Sequence, residues 1–141
     1  MNLSDLPAHL LYSRNMAHEA HLTVTGKTAP QDHQLLQKIY DELDKEYDLT
    51  CELMIGAGVK TDRRTIHNAA AEKLRDAGGY LNSGDADAVL RCVRQNEASL
   101  VLLVSKLLEG TLPHPGLETH LQDLLKTSLH RTYFLSSRLT A

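Results

Sequence analysis

The sequence predicts an all-α fold: an antiparallel up-and-down bundle of four long helices, with a short extra helix between the second and third. Apolar residues recur at steps of three and four through every long stretch, the period of a helix with one buried face. Gly and Pro gather between those stretches, at Gly26–Pro30, Gly56–Asp62, Asn82–Asp85 and Thr111–Gly116. Aromatic residues make up only 4% of the chain, with no Trp, which is poor material for a β-sandwich. At 141 residues the chain is predicted to be one domain spanning 1–141.

The first long helix, about 3–24, has the weakest pattern: Leu3, Leu6, Leu10, Ala17, His21 and Val24. The second, about 31–56, repeats Leu36, Tyr40, Leu43, Tyr47, Cys51 and Met54. A stretch over about 63–81, with Ile66, Ala69, Ala70, Leu74 and Ala77, reads as a short connecting helix. The third long helix, about 85–109, carries Val89, Leu90, Val93, Leu100, Val104 and Leu107, and Ser83 or Asp85 is placed to cap it. The last, about 117–139, carries Leu117, Leu121, Leu124, Ser128, Leu135 and Leu139.

Composition narrows the function. A net charge of −3 and a pI near 6.2 argue against nucleic-acid binding, which needs a basic face. There is no apolar run long enough to span a membrane and no signal-peptide pattern at the start, so a cytoplasmic protein is expected. Cys51 and Cys92 fit reduced thiols beside apolar stripes. The acidic run Asp41–Asp48 keeps its apolar residues in register and reads as a solvated helix face.

The segments Ile66-His67-Asn68-Ala69-Ala70-Ala71-Glu72-Lys73-Leu74 and Gly84-Asp85-Ala86-Asp87 through Leu90-Arg91-Cys92-Val93-Arg94-Gln95-Asn96-Glu97 resemble a bacterial four-helix-bundle family, domain of unknown function 2383. Members share a His-led short helix, a Gly-Asp turn and a Leu-x-x-Cys-x-x-x-Glu type of helix. The resemblance implies a ferritin-like fold and no particular activity.

A ferritin-type di-metal centre needs Glu-x-x-His on two helices, and that spacing is absent. Glu97 nevertheless falls on the apolar stripe of its helix, where a buried carboxylate requires a partner. Arg131 is the expected structural partner, with Ser128 or Tyr12 as alternatives. If the bundle is strictly up-and-down, His18, His21, His33, His114 and His120 collect at one end. His21, His33 and His120 are then the candidate ligands of a transition metal such as zinc, iron or manganese, with Glu19 or Glu118 beside them and Glu97 marking a degenerate central site. No cofactor is required by any motif. A phosphotransfer role for His67 with Lys73, or for His130, lacks the Lys-Gly neighbours it needs. On the last helix Leu129, Tyr133 and Phe134 lie off the main stripe, as a partner surface would or as cover for the 63–81 helix. The expected role is therefore non-enzymatic association, most simply as a homodimer; metal binding is the alternative.

Overall fold

A computed structural model describes residues 2–140 of the chain. It is all-helical: α1 Asp5–Thr23, α2 Ala29–Gly56, α3 Arg63–Leu81, α4 Ala86–Glu109 and α5 Pro115–Thr140. No described helix is long and apolar enough to cross a membrane.

The breaks follow local chemistry. At the end of α2, Gly58 adopts φ +80° while Val59 N–H donates to Met54 C=O at 2.9 Å, a left-handed turn that closes the helix. The Asp62 carboxylate accepts from Arg64 N–H at 3.1 Å and caps α3. At the start of α4, Asp85 occupies the cap position without a side-chain cap bond, and Ser83 Oγ accepts from Asp85 N–H instead.

The 63–81 segment is not a short connector. It has 19 residues, the same as α1, and runs the length of the bundle against α1 and α4. Its far end meets the α1–α2 turn, where Thr25 Oγ1 donates to Gly84 C=O at 2.7 Å. With this added traverse successive helices still alternate in direction, but α4 starts at the end where α2 starts, so α4 and α5 run opposite to the directions that a short connector implies. The termini agree: Arg138, near the end of α5, holds Asp32 at the start of α2 and Asp87 at the start of α4. At the opposite end, Thr50 of α2 bonds to His120 of α5.

α1 is enclosed by α2, α3 and α4, and its residues Leu6 to Leu11 are buried without interruption. A helix covered on three sides has no single apolar stripe, which explains its weak sequence pattern. By contrast α5 packs against α4 and α2 alone among the larger contacts and keeps a solvent-facing side.

Candidate functional site

Four regions hold the chemistry-bearing side chains. The first is a charged cluster between α2, α4 and α5. Arg131 Nε donates to Glu97 at 2.8 Å, and Arg131 Nη1 to Glu46 at 2.8 Å and Glu42 at 3.4 Å. Ser128 Oγ–H donates to the Glu97 carboxylate. Arg131 and Glu97 are 2% and 1% exposed, so the guanidinium sits inside the bundle among three carboxylates. The structure thus brings Glu97 to Arg131 and Ser128, while Tyr12 lies elsewhere. The acidic run of α2 is not wholly solvated: Glu46 is only 13% exposed. Burial, then the nearby Glu97 and Glu42 charges, push its carboxyl up to about 7 against the pull of Arg131. Glu46 Oε1 and Arg131 Nη2 are buried without a hydrogen-bond partner among the described residues. Any metal ion in this cluster would have to displace a fixed guanidinium.

The second region is the histidine end. His21 and His33 rings lie 3.8 Å apart, His18 and His21 5.9 Å, and His33 Nδ1 donates to His21 C=O at 3.0 Å. His120 is not with them. It lies at the opposite end, its Nε2 2.7 Å from Thr50 Oγ1, and His114 caps the start of α5 there by accepting from Gly116 N–H. The cause is the α3 traverse, which reverses the direction expected for the last two helices. Among the described residues, no group of three or more His, Cys, Asp or Glu side chains is placed to hold a metal ion.

The third region is the outer face of α5. Leu129 is 53% and Tyr133 63% exposed, with Phe134 beside them at 37%. Phe134 stands 5.4 Å from Tyr133 and 4.8 Å from His130, and Lys38 Nζ lies 4.9 Å from its ring. These residues do not cover α3, which packs on α1 and α4 instead.

The fourth region escaped the sequence reading. Between α1, α3 and α4 opens a cleft of about 800 Å³. His9 and Tyr12 come from α1, Lys73, Asp76, Ala77 and Tyr80 from α3, and Ala88, Arg91 and Cys92 from α4. His9 is 8% exposed, and its Nε2 has no hydrogen-bond partner among the described residues. Burial, with Lys73 second, pushes the imidazole down to about 4, so it is neutral at physiological pH. Burial also pushes the Tyr12 hydroxyl up to about 12 and raises the Cys92 thiol, leaving both protonated. Behind His9, Asn96 Nδ2 donates to Ser13 Oγ at 2.7 Å, and Ser13 Oγ donates to His9 C=O at 2.8 Å. Lys73, considered with His67 for phosphotransfer, lines this cleft. The available signal was a second α1 stripe, His9, Ser13, Met16 and Ala20, at steps of four, three and four.

No protein-family model, curated protein or solved structure matches the chain.

Proposed function

We propose that the chain is a ferritin-like bundle, akin to domain of unknown function 2383, in which α3 is the single long crossover and whose role is non-enzymatic association as a homodimer. In this reading α1, α2, α4 and α5 are the four bundle helices, a connectivity that bundles of this kind reach with one crossover. The carrying observation is the outer face of α5, where Leu129 and Tyr133 stay more than half exposed beside the Phe134–His130 cluster. A second copy suits this face because the same exposed apolar residues of each chain would meet across a two-fold axis and leave water together. Light scattering after size exclusion should give twice the 15.7 kDa chain mass at micromolar concentration. Leu129→Glu with Tyr133→Glu should return the monomer with an unchanged helical spectrum. A native protein that is strictly monomeric there rejects the reading.

A second reading, a transition metal such as zinc, iron or manganese at the histidine end, draws on His21, whose buried Nδ1 has no partner among the described residues and whose ring lies against His33. It ranks below the first because two converging imidazoles are fewer ligands than such ions ordinarily take. Elemental analysis of untagged protein purified without chelators decides it: metal near one per chain, lost together with thermal stability on chelation, would establish this reading.

A further inference from the structure

The α1/α3/α4 cleft has the size of a ligand site, which for small molecules typically spans roughly 300–1,000 Å³. Its room has a local cause. α3 and α4 contribute Ala77 and Ala88 to its lining, and their short side chains fill little of the space. Three further features give the space a chemical character. The floor carries the His9 ring, whose Nε2 is closed off beneath the surface and has no hydrogen-bond partner among the described residues. The walls carry apolar surface from Tyr12, Ala77, Ala88 and Cys92. The rim carries Lys73 and Arg91 against the single carboxylate of Asp76, and none of the three joins an ion pair among the described residues.

We infer that this cleft binds a small organic carboxylate with an aromatic or branched apolar body, the carboxylate at Lys73 and Arg91 and the body against the Tyr12, Ala77, Ala88 and Cys92 walls. The two rim cations outnumber the one anion, so an anionic head is favoured over a cationic one. A guanidinium gives a carboxylate two parallel hydrogen bonds, which would fix the head at Arg91. The neutral imidazole puts no charge on the floor, which suits an apolar body.

The inference is independent of the association reading, because the cleft and the outer face of α5 share no residue. Three probes with the same ring system separate its parts: 1-naphthylacetate, 2-(1-naphthyl)ethanol and 2-(1-naphthyl)ethylamine, titrated into the native full chain by fluorescence and by nitrogen-15 shifts of the His9 ring. The expected result is saturable binding of the acid, binding at least tenfold weaker for the amine, and the alcohol in between. Lys73 and Arg91 are both exposed, so Lys73→Ala with Arg91→Ala should fold normally, weaken the acid about tenfold and leave the alcohol unchanged. The His9 ring shift should move with the acid, and Leu129→Glu with Tyr133→Glu should bind it as the native chain does. No saturation by any probe at low millimolar concentration overturns the inference. So does an amine that binds as tightly as the acid, or a double rim variant that keeps full affinity for the acid.

Discussion

Two polar clusters begin at neighbouring residues of α4 and are built on opposite terms. Glu97 turns toward α5 and α2, where Arg131, Ser128 and Glu46 enclose it. Asn96, about 100° around the same helix, turns toward α1, where it meets Ser13 behind His9. The Glu97 side is charged and closed, while the Asn96 side is neutral and backs an open cleft. The difference follows from desolvation. A buried charge is tolerable only with an opposite charge and added hydrogen bonds, so three helices contribute to the Glu97 cluster. A buried neutral imidazole is far less costly, so His9 can keep one nitrogen without a partner.

The largest expected effect breaks the charged side. Arg131→Leu leaves Glu97 buried without its cation and should destabilise the fold by about 3–5 kcal/mol. Replacing the neutral group, as in His9→Leu, should cost clearly less. Thermal unfolding of both variants at pH 7 makes the comparison, and equal losses would show that the two clusters are not energetically distinct. Glu97→Gln should fall between them, since the amide still accepts from Ser128.

Acidity should separate the clusters by sign. Glu46 is raised from 4.5 to about 7, so the folded chain holds a proton there that the unfolded chain has released. Its contribution to stability is complete below about 4.5 and is lost as pH rises through about 7. His9 is lowered from 6.5 to about 4, so its contribution is complete above about 6.5 and is lost as pH falls through about 4. Between pH 5 and 6.5 the two slopes oppose each other, each at most about 1.4 kcal/mol per pH unit. Measured against the native chain by urea unfolding across that range, Glu46→Gln should gain stability as pH rises. His9→Asn should lose it. Two variants whose stabilities run parallel to the native curve would remove the contrast.

How much of this was legible in the sequence depended on how many sides of a helix are covered. α2, α4 and α5 each bury one main face, and their period announced them. Glu97 was legible for the same reason, as a charge interrupting an apolar stripe. Glu46 was not, because a single buried carboxylate inside Asp41–Asp48 looks like its solvated neighbours until Arg131 is placed beside it. α3 buries only Ile66, Ala70 and Leu81, so its pattern resembled a connector, and its direction is fixed only by packing on α1 and α4. That one traverse set the polarity of α4 and α5, and with it the separation of His120 from His21 and His33. His9 lay hidden for the opposite reason to α3: the stripe His9, Ser13, Met16 and Ala20 marks a second buried side of α1 but does not separate a cleft-lining residue from a core one.

The smaller effects ask whether the clusters are separate units. Ser13→Ala removes the acceptor of Asn96 Nδ2 and the donor to His9 C=O, both buried, and should cost about 1–2 kcal/mol. Asn96→Leu in the Ser13→Ala background should recover part of that loss, because no unsatisfied amide then remains. The smallest expected effect is the coupling between the two sides. Ser13 and Arg131 share no hydrogen-bond partner, although the residues they depend on, Asn96 and Glu97, are adjacent in the chain. A double-mutant cycle of Ser13→Ala with Arg131→Leu should therefore be additive to within about 0.5 kcal/mol. A larger interaction energy would mean that α4 shifts as a rigid element when either cluster is cut, and the charged core would then also set the shape of the cleft.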